Sequence, residues 1–187
     1  LTETQKNEWA KVKGRFKEIT FVEPVEQLLF LASKQFHGGG KENAGDNVDL
    51  IYKLAEETKF VSNAFSIETA RTLYPLDSFS AFAITSAIQR YGQNERSLFS
   101  FLAAKGTNSL AEFRPSVNST YNLANVYDYI ISNFYSYLQE ANMDSMSWSS
   151  IQVSIERVDG VDWDNSDQLS DAIKIVKAIG LLNLFGI

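Results

Sequence analysis

Asp77-Ser78-Phe79-Ser80-Ala81-Phe82-Ala83-Ile84-Thr85-Ser86-Ala87 is the stretch that decides the fold class. Phe79, Phe82, Ala83, Ser86 and Ala87 recur three and four residues apart, the spacing that stacks side chains on one face of an α-helix. Asp77 or Ser78 supplies the side-chain oxygen that caps the free N–H groups of its first turn. The same helical grammar continues in both directions. Tyr74-Pro75 breaks the chain just upstream, and a short helix from Ser66, as cap, to Leu73 precedes the break. Another helix starts after Asp46 and runs to about Phe60. Before it, Pro24 suits the first position of a helix that carries Val25, Leu28, Leu29, Ala32 and Phe36 on one face and stops at Gly38-Gly39-Gly40.

Downstream of the opening stretch, a turn at Gly92 leads into a helix over 95–105. Residues 106–122 are polar and loop-like, with Pro115 forbidding a regular helix across them. An aromatic-rich helix spans 123–139, and 147–155 is open between helix and strand. The acidic loop 158–166 ends at Ser166, the expected cap of a last helix through Leu184. That helix is apolar nearly all round (Leu169, Ile173, Val176, Ile179, Leu181, Leu182, Leu184, Phe185), so it must be buried or continue into further protein. Only 17–23, where Ile19, Phe21 and Val22 alternate with polar residues, reads as a short strand, after a helix over 5–16. The fold expected is mainly α: a multi-helix bundle with at most one or two short strands.

Composition narrows function by exclusion. The 187 residues are 44% hydrophobic and 21% charged, with 13 Phe, 8 Tyr and 3 Trp, enough to pack a real core. With no Cys and a single His, a thiolate metal site cannot form and Ser-His-Asp chemistry is hard to assemble. A net charge of −6 argues against a nucleic-acid module, although 6–17 is locally basic. No apolar run is long enough to span a bilayer. The start, Leu1-Thr2-Glu3-Thr4-Gln5-Lys6, has neither an initiator Met nor a signal-peptide pattern, so the expectation is a piece of a larger cytoplasmic protein.

Three strings invite sharper readings. His37-Gly38-Gly39-Gly40-Lys41 lacks the strand, the spacing and the Ser or Thr of a phosphate-binding loop, because Glu42 follows the Lys; it also lacks the nucleophile elbow that an oxyanion loop would serve. Asp159, Asp162, Asp164 and Asp167 miss the calcium-loop pattern, since Ile173 stands where the bidentate Glu belongs. Tyr91-Gly92-Gln93-Asn94-Glu95-Arg96-Ser97-Leu98-Phe99-Ser100-Phe101-Leu102 is the most informative. It is either a turn and a capped amphipathic helix, or a helix end from which Gln93, Asn94 and Arg96 project towards a phosphate or a partner.

That last string, together with Trp9-Ala10-Lys11-Val12-Lys13-Gly14-Arg15-Phe16, Ile19 to Leu29 and Tyr74-Pro75-Leu76-Asp77, resembles large bacterial P-loop ATPases of the AAA+ type, including those of phage-defence (BREX-like) systems. A weaker echo lies in Lys177 to Gly186. The resemblance implies that 1–23 end a nucleotide-binding core, 24–110 form a helical lid, and 111–187 begin an appended helical region. It implies Arg15 as an arginine finger reaching a neighbouring subunit's γ-phosphate, and Arg96, with Gln93 and Asn94, as the sensor-2 site of the same subunit. The family's Gly lies closer to that Arg than Gly92 does here. ATP and Mg²⁺ are expected for the parent, with its other domains or subunits as partners. The chain has neither Walker A nor Walker B, so it is not expected to hydrolyse ATP alone: no catalytic residue, no metal ligand and no cofactor of its own are assigned. The rival expectation is a stand-alone helical protein-interaction module.

Overall fold

The computed structural model describes residues 4–5, 23–36, 46–92, 98–116, 119–139 and 144–186. Its elements are α1 (Val25–Gln35), α2 (Asp46–Glu57), α3 (Ile67–Thr72), α4 (Ser78–Tyr91), α5 (Leu98–Ala103), a 3-10 turn (Leu110–Glu112), α6 (Leu123–Gln139), α7 (Ser145–Asp159) and α8 (Ser166–Phe185). The described residues contain no strand. A single parallel bridge joins Leu76 to Tyr121, with Tyr121 N–H donating to Pro75 O at 2.7 Å. The mainly α expectation therefore holds; the strand over 17–23 lies outside the described residues except for Glu23.

The hub is α4. Ten of its residues, Ser78, Ser80 to Thr85, Ala87, Ile88 and Tyr91, are buried, because α1, α2, α5, α6 and α8 all pack against it. Its Ser and Ala positions (Ser80, Ala81, Ala83, Ala87) are small enough to let neighbouring helices approach closely. Asp77 is the N-cap: its Oδ1 accepts Ser80 N–H at 2.8 Å, and Thr120 Oγ1 donates to Oδ2 at 3.1 Å. The carboxyl is buried, and burial raises its pKa against the opposing pull of those donors.

Aromatic rings fill the space around the hub. Phe60 stacks on Phe79 at 4.8 Å, and Phe65 meets Phe82 edge-on at 5.2 Å. On the other side Phe101 meets Tyr129 at 4.8 Å. The Tyr121 hydroxyl donates to Asn108 O at 2.6 Å within the 106–122 segment and to Asn125 O at 3.2 Å in the first turn of α6, tying the two together. One hydrophobic cluster extends from Leu29 on α1 to Leu184 on α8.

The structure moves several boundaries. Pro24 is the N-cap of α1 and not its first residue. Asp46 opens α2 from within the helix. The helix expected over 95–105 is described only as the six residues of α5. The segment left open at 147–155 is helical, and α7 extends into the expected acidic loop as far as Asp159. The cap of α8 is Asn165, whose Oδ1 accepts the N–H groups of Asp167 and Gln168 at 3.0 and 2.9 Å, so Ser166 is the first helical residue. Asn and Ser cap almost equally well, so adjacent candidates cannot be ordered by residue type. The nearly all-round apolar α8 buries only Leu181 and Leu184; Ile175 and Ile179 stay more than half exposed. The described part of the chain covers only part of this helix's circumference.

Candidate functional site

Arg15, Gln93, Asn94 and Arg96 all lie outside the described residues, as do the 37–41 glycine string and the basic stretch 6–17. What the structure does define is the frame on either side of 93–97. Tyr91 on one side and Leu98 on the other are each 3% exposed. Gly92 ends α4 with its N–H on Ile88 O at 2.7 Å.

The two residues just before Gly92 organise a polar cluster that joins three helices. Arg90 Nη1 donates to the Asp144 carboxylate at 3.2 and 3.3 Å, and to Leu184 O at 3.1 Å in the last turn of α8. Its guanidinium lies 5.5 Å from the centre of the Phe185 ring. The Tyr91 hydroxyl donates to Asp144 Oδ2 at 2.9 Å and accepts from the buried Trp148 Nε1–H at 3.1 Å. Burial is the main cause that drives the Tyr91 phenol well above its ordinary value, so it stays a donor; Trp148 opposes the shift and Asp144 adds to it. Through these four side chains the C-terminal end of α4 holds the first turn of α7 and the last turn of α8.

Sequence reasoning placed Tyr91 at the start of an informative string but missed Arg90, Asp144 and Trp148. The partners are 53 to 57 residues apart, beyond the reach of any local periodicity.

Two clefts border α8. Between α7 and α8 runs a groove of about 400 Å³ with Ser147, Ser150 and Ser154 on one wall and Val176, Ile179 and Asn183 on the other. Its helices approach closely because Gly180 has no side chain; a Cβ there would come within 2.6 Å of Ile151. Between the N-terminal halves of α6 and α8 lies a more polar cleft of about 440 Å³. Lys177 closes it by pairing with Asp128 at 2.6 Å and lying over the Tyr127 ring at 5.4 Å. Burial, with Asp128 assisting, pushes the Tyr127 hydroxyl up to about 12.

Among the described residues no three His, Cys, Asp or Glu side chains are grouped to hold a metal ion, and no helix is long and apolar enough to cross a membrane. No family model matches the chain, and neither does any curated protein or solved structure.

Proposed function

We propose that this chain is a nucleotide-sensing helical lid from a large ATPase, coupling ATP state to attached domains without performing hydrolysis itself. The observation that carries the reading is the position of the Gln93-to-Arg96 string. It begins one residue, Gly92, beyond Arg90 and Tyr91, whose side chains grip α7 and α8. A γ-phosphate drawn to Arg96 would pull on the end of α4, and the Asp144 and Leu184 contacts would pass that displacement to the two C-terminal helices. Arg suits such a contact because its charge is permanent and its N–H groups fork onto phosphate oxygens. Arg15 would act on the nucleotide of a neighbouring subunit. The sequence has neither a Walker A loop nor a Walker B strand, so the phosphate-holding loop and the Mg²⁺ carboxylate would come from the rest of the parent protein.

The test is ATP turnover by the full-length parent protein. Arg15→Ala is expected to slow it by roughly 10³-fold, the order seen for arginine fingers, and Arg96→Ala to slow it measurably. Normal turnover in both variants would remove the reading. The coding sequence upstream offers a faster check: it should contain a strand, a G-x-x-x-x-G-K-[ST] loop and then an acidic strand.

The rival, a helical interaction module with no nucleotide link, draws its support from the open apolar face of α7 and α8.

A further inference from the structure

We propose that the α7–α8 hairpin is a rigid lever, seated on the bundle at one end and pivoting about the cluster of Arg90, Tyr91, Asp144 and Trp148, so that a small tilt there is enlarged at the α7–α8 loop. Packing alone carries this device, whatever displaces the end of α4.

The hairpin is stiff. α8 packs along α7 more extensively than along any other helix, and the two are drawn together where Ile151 fills the space that a side chain on Gly180 would need. The groove between them reaches down to that contact. At the far end Gly160 N–H donates to Glu156 O at 3.1 Å, the Trp163 indole N–H donates to Val158 O at 2.8 Å, and Asn165 caps α8. Contacts within the hairpin therefore close it at both ends.

Its seat is narrow. Trp148 and Ile151 on α7, and Leu181 and Leu184 on α8, are buried at the end that meets α4. From Gln152 to Gly180 not one residue is buried. The arm from Trp148 to Gly160 is about 18 Å long at 1.5 Å per residue. Its contact with α6 is incomplete on both flanks. A cleft of about 250 Å³ separates Tyr135 and Leu138 from Ser149 and Gln152 of α7, and the cleft of about 440 Å³ separates Asn125 from Ser170 and Ile173 of α8. A seat filled to interior density would resist displacement, whereas one flanked by clefts can tilt without breaking close-packed contacts. The ties across the seat suit such a motion. Arg90 holds Asp144 and Leu184 O, and Lys177 holds Asp128. Both are long side chains with several rotatable bonds, so they can stay engaged through a small rotation. Arg90 sets the resting position, because it grips the start of α7 and the last turn of α8 together.

The chain has no Cys, so spin labels on introduced Cys pairs report distances without background. Glu57→Cys with Asp162→Cys spans from the bundle to the loop. Glu57→Cys with Glu112→Cys reports on the bundle alone, and Met146→Cys with Asp162→Cys on the hairpin alone. All four positions are exposed. Adding Arg90→Gln is expected to shift or broaden the bundle-to-loop distance by about 3–5 Å, the travel of an arm about 18 Å long turned by about 10–15°. The other two distances should not change. Asp144→Asn, which breaks the same ion pair from its other side, should reproduce the effect. An unchanged bundle-to-loop distance in both variants would overturn the proposal by showing a fixed arm. Equal broadening within the hairpin would overturn it by showing that α7 and α8 come apart, and equal broadening within the bundle by showing that the whole fold has loosened.

Discussion

Helices α4 and α8 are both rich in apolar residues along their length, yet the fold treats them in opposite ways. Around α4 five helices close (α1, α2, α5, α6 and α8), and of its fourteen residues only Gln89 and Arg90, at the C-terminal end, are exposed. α8 is longer, at twenty residues, but buries only Leu181 and Leu184. The difference lies in what surrounds each helix. α4 carries Ser and Ala where neighbours must come close, and aromatic residues from α6 and from 60–65 pack in behind them. α8 rests on α6, α4 and α7 through part of its circumference, and nothing in the described chain covers Ile175 and Ile179. An apolar helix signals a need for cover; the tertiary structure determines whether the chain itself supplies it.

Paired truncations give the sharpest test of that contrast. Ile84→Ala on α4, at a fully buried site, is expected to cost about 2–5 kcal/mol through lost burial and a residual cavity. Ile179→Ala on α8 is expected to stay within about 0.5 kcal/mol, the range of an exposed substitution. Urea unfolding followed by circular dichroism compares them directly. Similar costs would mean that α8 is covered in solution.

A smaller effect is expected where the two regions meet. Tyr91→Phe keeps the ring but leaves the buried Trp148 Nε1–H without its acceptor, at a cost of about 1–3 kcal/mol. A shift in tryptophan emission should accompany it, and an unchanged spectrum and stability would show that the bond is dispensable. Within the α7–α8 pair, Gly180→Ala should gain about 1 kcal/mol of helix propensity but lose about 1–3 kcal/mol to overpacking against Ile151. The expected net is modest destabilisation that disappears in an Ile151→Ala background. A stabilised single variant would show that the two helices separate easily.

The smallest effect concerns the cap of α4. The Asp77 carboxyl is raised above its ordinary 3.8, so the folded state holds its proton more tightly than the unfolded chain does. Its stabilising contribution is complete below that ordinary value and is lost as pH rises through the folded pKa. Asp77→Asn can keep both hydrogen bonds, with Thr120 reversing its role, and cannot ionise. Its stability at neutral pH should therefore equal or slightly exceed that of the parent chain, with the advantage vanishing in acid. A clear loss at neutral pH would show that the charge itself is needed.

The helical periodicity of 79–87, 123–139 and 166–184, and the cap at Ser66, were legible because they rest on neighbours within four residues; at 77–78 the sequence offered both Asp77 and Ser78, and the structure selects Asp77. Cap choice at 165–166 and the state of 147–155 were not, because the competing residue types differ too little locally and packing against α6 and α8 decides the outcome. For the candidate site, the sequence pointed to the string after Tyr91. It gave no sign that Arg90 and Tyr91 would meet Asp144, Trp148 and Leu184, since contacts across 53 to 94 residues leave no periodic trace.

The sequence by itself determined a mainly α chain with an aromatic core, and excluded thiolate metal chemistry through its lack of cysteine. Those properties follow from residue type and short-range spacing. Only the tertiary structure decided that α4 is enclosed, that α7 and α8 close on each other over Gly180, and that Ile175 and Ile179 face outward beside an acidic loop. Burial is a property of the whole packing arrangement: the same Ile gains the free energy of leaving water on α4 and remains in water on α8.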